Sequence, residues 1–184
     1  DQQYLLEHLP ARSFYRNYPT AYEHATSVHK SICKRVATQR TFKFGVFKRS
    51  EFDSLPVDQA VIFPLGAVPK PHSVEMRPIS DHTKTRLNNA AKIYPHSLSA
   101  LEELKRTLRR NRIMRMSDVS GAFTLLALVP WLWNYMYFLR YDVDLPLEQQ
   151  SRANVLYCHL FADFGTRGCP LEWCRIFYYC TRAC

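Results

Sequence analysis

A chain of 184 residues that is 47% hydrophobic and holds only 5 glycines can bury one sizeable core, with room for two lobes to share it, and its composition argues against disorder except at the ends. The longest apolar run, Ala122 to Trp133, is broken by Pro130 and too short to cross a bilayer. No signal-peptide pattern opens the chain either, so no membrane partner is expected. The net charge of +9 points to a polyanionic partner, nucleic acid above all, although a basic balance also serves plain solubility.

Residues 1 to 20 are polar and aromatic without a steady period and are expected to be a lead-in segment. From Ala21 to about Thr38 the apolar positions Ala25, Val28, Ile32 and Val36 recur every three to four residues, which predicts an amphipathic helix with a basic outer face. Gly45 and Ser54-Leu55-Pro56 mark loops. Gln59 to Val68 is apolar and β-prone until Pro69 and Pro71 interrupt it, the pattern of an edge strand running into a turn. Val74 to Ser80 reads as another strand, and Asp81 to Tyr94 as a loop.

Ser99 and Glu102 form a capping-box pattern. The helix they open carries Leu98, Leu101, Leu104 and Leu108 on one face and Lys105, Arg106, Arg109 and Arg110 on the other. Arg112 to Ser117 reads as a strand that ends at Asp118. Asn134 to Val143 and Val155 to Ala162 are β-prone, and Pro170 begins a final helix. There is no internal repeat. The mixture is α+β: a sheet backed by helices, with a strand-rich basic lobe ahead of it. The six cysteines include Cys169, Cys174, Cys180 and Cys184 close together, but no pair has Cys-x-x-Cys spacing. They read as buried thiols of a reduced, intracellular protein, in the cytoplasm or nucleus. The chain opens on Asp1 rather than Met and stops at Cys184, which reads as a segment of something longer.

Two basic stretches, one from Lys30 to Arg49 and one from Lys105 to Arg115, suit phosphate neutralisation. Three further constellations carry chemistry. In Ala67-Val68-Pro69-Lys70-Pro71, Arg77-Pro78-Ile79-Ser80-Asp81 and Leu87-Asn88, Lys70 and Arg77 flank a hairpin turn at His72-Ser73. Such a pair can close over a triphosphate, Arg as a fork and Lys as a point charge, or it can be an exposed, solvated hairpin. In Asp118-Val119-Ser120-Gly121-Ala122-Phe123, a carboxylate at the end of a strand is followed by small residues and an aromatic. That order suits Mg²⁺ held against a nucleotide, and it equally suits a turn former. In Phe164 to Trp173, Gly165 and Gly168 precede a helix whose first turn holds Pro170. That allows close backbone approach to a ligand, or an ordinary loop-to-helix junction.

Taken in this order, the three stretches resemble the fingers and palm motifs of a reverse transcriptase from a retroelement. The fingers pattern is similar at Lys70, Arg77, Asp81, Leu87 and Asn88. The family's motif A is matched by Asp118, Ala122 and Phe123. Its motif B is matched by Phe164, Gly165 and Pro170, with Trp173 in place of the last Phe. The resemblance covers roughly Phe63 to Phe177 and implies a fingers–palm polymerase fold: a lead-in at 1–20, a fingers region at 21–112 and a partial palm at 113–184. It implies an RNA-directed DNA polymerase, a nucleotidyltransferase that adds deoxynucleotides to a primer 3′-OH with two metals. Asp118 is then the catalytic carboxylate and, with the Val119 carbonyl, a ligand of Mg²⁺, with Mn²⁺ as the alternative. Lys70 and Arg77 bind the triphosphate. Ala122 and Phe123 line the nucleotide, the Phe123 ring excluding a ribose 2′-OH, and Gly165 lets the nascent pair lie against the backbone. The implied partners are an RNA or DNA template–primer, dNTPs and the rest of a retroelement polyprotein.

The pattern also departs from the family. No aromatic-x-Asp-Asp motif C follows motif B, so this polypeptide is expected not to polymerise alone. The stretch Asp81–Asn88 is longer than in many retroviral members, and no RNase H, integrase, protease or zinc-knuckle signature is present. A non-catalytic nucleic-acid-binding remnant of a retroelement accounts for the same departures. A basic structural protein with chance motif matches is the third reading.

Overall fold

The computed structural model describes residues 2–9, 11–90, 121–141, 154–170, 172–174 and 176. The expected helix opened at Ser99, the strand ending at Asp118, and both Asp118 and Val119 lie outside the described residues. The described part is mixed α and β, as the sequence predicts. Its elements are α1 (Gln2–His8), β1 (Arg12–Phe14), α2 (Pro19–Glu23), α3 (Ala25–Ala37), β2 (Thr41–Phe47), β3 (Ala60–Ile62), β4 (Leu65–Pro69), β5 (Met76–Ser80), α4 (Leu87–Ala90), β6 (Tyr137–Tyr141) and β7 (Asn154–His159). Short 3₁₀ turns occur at Arg49–Glu51, Ala122–Leu125 and Pro130–Tyr135.

Five strands form one mixed sheet in the order β1-β3-β6-β7-β2. β3 pairs in parallel with both β1 and β6, while β6/β7 and β7/β2 are antiparallel. The period-two alternation along β6 and β7 explains their continuous apolar runs, because both sheet faces are covered. Phe138, Val155 and Tyr157 face α2 and α3, where Ala21, Val28 and Ile32 complete one core. Leu139, Leu156 and Cys158 face the other way, into a core with Leu9, Phe47, Phe52 and Tyr135. β4 and β5 form a separate hairpin closed by the Lys70 N–H donating to the Glu75 carbonyl at 3.0 Å.

Several local expectations are corrected. The lead-in is structured: β1 adds a strand beside β3, and the Arg12 guanidinium donates to the carbonyls of Phe52, Leu55 and Val57 at 2.6, 2.9 and 2.6 Å. The helix expected from Ala21 is two helices, α2 opening on Pro19 and α3 starting after a break at His24. Gly45 lies within β2, at an irregularity where its φ of +134° lets the strand slip register between Lys43 and Gly45. The stretch Gln59–Val68 splits at Phe63-Pro64, and its first half, β3, is an interior strand with Ala60 and Ile62 fully buried, not an edge. The loop after Asp81 folds because the Asp81 carboxylate accepts from the Thr83 and Lys84 N–H groups at 3.1 and 2.9 Å, and α4 follows. The sheet takes strands from all three stretches into which the sequence divides, 1–20, 21–112 and 113–184.

Cys158 and Cys169 are buried, and burial pushes both thiols up to about 12, whereas Cys33 is exposed. No helix among the described residues is long and apolar enough to cross a membrane. Because β3 is packed on both faces, Ile62→Ala is expected to cost about 2–5 kcal/mol in urea unfolding. Val74→Ala, at a fully exposed hairpin position, should stay within about 0.5 kcal/mol. Equal effects at the two positions would contradict the placement of β3.

Candidate functional site

The site is built on a buried carboxylate. Asp163 lies in the loop after β7 and is 2% exposed, yet each of its oxygens is satisfied. One, Oδ1, accepts from His82 Nε2 at 3.0 Å and from the Thr166 hydroxyl at 2.9 Å. The other accepts from the Ser80 hydroxyl and faces His159 Nε2 at 3.3 Å. These donors come from the end of β5, the turn after it, the end of β7 and the loop itself, so one side chain ties four pieces of backbone together. Burial alone would raise the Asp163 carboxyl; the two imidazoles, His82 foremost, outweigh it and hold the group well below the usual carboxylate range.

His159 is held the opposite way. Burial lowers its pKa to about 4, against the pull of Asp163, with Arg35 and His82 adding to the lowering. At neutral pH the ring is therefore uncharged, its Nε2 facing the Asp163 carboxylate at 3.3 Å and the Arg35 guanidinium at 3.4 Å, and its Nδ1 sharing a hydrogen bond with the Thr41 hydroxyl at 2.9 Å. His82 packs edge-on against Phe63 with ring centroids 4.5 Å apart.

This network fixes the loop that follows. The Ser80 N–H donates to the Phe164 carbonyl at 3.1 Å. Asn88 on α4 spans the loop, donating to the Gly165 carbonyl at 2.8 Å and accepting from the Arg167 N–H at 2.9 Å. Gly165 has φ +130°, and a Cβ there would overlap the Ser80 carbonyl oxygen. Close packing against β5 therefore excludes a side chain at this position. On the other side of the loop, Gly121 in the left-handed region starts the 3₁₀ turn of Ala122–Leu125, and the Arg40 guanidinium donates to the Thr124 hydroxyl at 2.9 Å.

The result is a cleft of about 490 Å³ lined by Phe123, Phe164, Gly165, Pro170 and Asn88, together with Thr83, Asn89, Arg167, Thr166 and Asp163. The Phe123 and Phe164 rings meet edge to face at 5.6 Å, and Ala122 begins the turn that presents Phe123. Arg77 does not line the cleft but lies over the Phe164 ring, its guanidinium carbon 4.6 Å from the centroid. Lys70 is apart from the cleft. It sits at the hairpin tip, paired at 2.5 Å with Glu75, which Lys30 also meets at 3.3 Å. Hydrogen bonds from Lys70 and Lys30 hold the Glu75 carboxyl below its ordinary value.

Asp118 and Val119, the residues assigned to Mg²⁺, lie outside the described residues, and among the described residues no cluster of three His, Cys, Asp or Glu side chains could hold a metal ion. The basic stretch from Lys30 to Arg49 is only partly a solvated face. Arg35 turns inward to within 3.4 Å of His159, and Arg49 lies on the rings of Phe14 and Phe52. Sequence reasoning missed Asp163, His82, His159 and Thr166. The available signal was the pair His159 and Asp163, a polar pair at i and i+4 in and just after an apolar strand, where buried polar groups demand partners. No protein-family model matches the chain, and no curated protein matches it.

Gly165→Ala is expected to cost roughly 2–5 kcal/mol, from the strained φ and the overlap with Ser80, whereas Gly168→Ala, with open space around it, should be near neutral. Thermal or urea unfolding of the two variants checks this. The state of His159 sets a pH dependence as well. Between pH 6.5 and about 4 the unfolded chain binds a proton there that the folded chain refuses, so stability rises with pH across that window and falls as pH drops. The loss approaches 3 kcal/mol on an order-of-magnitude basis, at about 1.4 kcal/mol per unit. Asp163 is depressed, so its own contribution is lost only at lower pH, below the ordinary carboxylate range. Urea midpoints measured from pH 4.5 to 7 should therefore climb with pH, and His159→Asn should flatten the climb. An unchanged slope in that variant would contradict the buried neutral ring.

Proposed function

We propose that this chain is the fingers and the first part of the palm of an RNA-directed DNA polymerase, with a site for a deoxynucleoside triphosphate against an RNA or DNA template–primer. What carries the reading is that three stretches resembling that family, far apart in sequence, meet at one cleft: Asn88 from the first, Phe123 from the second, and Phe164, Gly165 and Pro170 from the third. Chance matches in an unrelated basic protein have no reason to converge. In this reading the fingers are residues 21–112 and the partial palm 113–184.

Each residue then has a physical task. Phe123, held edge-on by Phe164, is the wall that a ribose 2′-OH would strike. Arg77, its guanidinium carbon 4.6 Å from the centroid of the Phe164 ring, offers a planar fork of donors to phosphate oxygens. Lys70, apart from the cleft, would have to leave Glu75 and move to meet a triphosphate; giving up the pair itself costs little, because exposed ion pairs are worth at most about 1 kcal/mol. By the same resemblance Asp118 and the Val119 carbonyl would hold a Mg²⁺, which would supply charge neutralisation for phosphoryl transfer. Because no aromatic-x-Asp-Asp occurs among the 184 residues, binding rather than turnover is the activity to measure.

The test is a fluorescence titration of the chain, annealed to a template–primer in Mg²⁺, with a base-labelled dNTP and the matching NTP. Saturable binding that prefers the dNTP is expected. Arg77→Ala should weaken it about tenfold, the scale of one lost charge-assisted hydrogen bond. Phe123→Ala should bring the NTP close to the dNTP. Template–primer binding without any Mg²⁺-dependent nucleotide binding would contradict the polymerase reading and favour a non-catalytic nucleic-acid-binding remnant.

A further inference from the structure

Away from the cleft, where the chain leaves β1, lies a larger hollow of about 620 Å³. Phe14, Tyr15, Tyr22 and Leu139 line it together with Arg16 and Arg49, with no carboxylate among the described lining residues. The neighbouring polar groups are committed inside the fold. Arg12 is taken up by three carbonyls, and Asn17 donates to the Leu139 carbonyl at 2.6 Å while accepting from the Leu65 N–H at 2.9 Å. The two arginines of the hollow differ. Arg16 is exposed and meets no acceptor among the described residues. Arg49 has its guanidinium carbon 4.4 Å from the Phe14 ring centroid and 4.9 Å from that of Phe52, which holds its charge beside the hollow.

Paired cations beside aromatic rings suit a phosphodiester whose bases are unpaired and free to stack. The placement adds direction. Tyr15 also lines a hollow of about 520 Å³ that holds Arg86 and Thr85 together with Glu7 and His8. Arg86 immediately precedes α4, whose Asn88 and Asn89 line the cleft. The hollow at Arg16 and Arg49 therefore shares Tyr15 with the one at Arg86, and Arg86 precedes by two residues Asn88 of the cleft. We infer that the hollow at Arg16 and Arg49 binds single-stranded nucleic acid, phosphates on the two guanidiniums and a base against Tyr15. The path from the cleft rests on the polymerase reading, while the binding itself does not.

The experiment measures fluorescence anisotropy of the full chain with two labelled duplexes, one blunt and one carrying a single-stranded 5′ extension of about ten nucleotides. The extension should tighten binding. Arg16→Ala should remove about three- to tenfold of that affinity and lower the magnitude of the log K against log salt slope by about 0.7, one single-strand phosphate contact. The blunt duplex should be unaffected. Arg49→Ala also strips the cover from Phe14 and Phe52, so Arg49→Lys, which keeps charge but loses the planar fork, is the companion variant, with a smaller loss expected. Unchanged affinity and slope for the extended duplex in Arg16→Ala, or an equal loss on both duplexes, would overturn the inference. If the labelled dNTP still binds and responds to Arg77→Ala while the extension adds nothing, this inference alone fails. If the extension binds through Arg16 and the nucleotide does not bind, the inference stands and the polymerase reading fails.

Discussion

The carboxylate of Asp163 is the constraint on which the rest of the described site depends. A buried anion survives only when its partners are placed to meet both oxygens, and here they come from Ser80, His82, His159 and Thr166. Meeting that demand fixes where β5 ends relative to β7 and how the loop at Phe164 leaves the sheet. Asn88 and the Gly165 backbone then have a single way to fit, and the cleft between Phe123 and Phe164 follows from that fit. A hydrophobic substitute could fill the same volume, but it would not specify the loop, because apolar contacts carry no direction.

Much of the fold was legible in the sequence where the signal is local. The apolar runs of β6 and β7, the three-to-four spacing of Val28 and Ile32 on α3, and the Pro-bounded hairpin around His72 each announce themselves within a few residues. What escaped is set by distant partners. Nothing in Arg12-Ser13-Phe14 marks a strand, because the residue that anchors it, Arg12, is satisfied by carbonyls some forty positions on. The interior position of β3 depends on β1 and β6 arriving on either side, which no local pattern shows. Gly45 looks like a loop residue and is instead a strand irregularity, since glycine at positive φ serves both.

The candidate site divides along the same line. Phe123, Phe164, Gly165 and Pro170 were legible as motifs, and they do come together. Lys70 and Arg77, paired in the sequence reading as a triphosphate clamp, are separated in the fold, one on Glu75 and the other on Phe164. The buried network beneath them left only the trace of two polar residues, His159 and Asp163, in and beside an apolar strand. The basic composition divides too: Arg12, Arg35 and Arg40 serve the interior, while Arg16 and Arg49 line a hollow at the surface. Net charge alone therefore overstates the surface open to a polyanion and says nothing of where it lies.

The most direct measurement is photoaffinity labelling of the template–primer complex with an azido-dNTP in Mg²⁺, the modified peptides mapped by mass spectrometry. Labelling confined to the peptides carrying Phe123, Asn88–Asn89 and Phe164–Pro170, and suppressed by excess unlabelled dNTP, is the result this account expects. Labelling centred on the Tyr15–Tyr22 hollow, or spread over the surface without competition, would contradict the assignment of the nucleotide to the cleft.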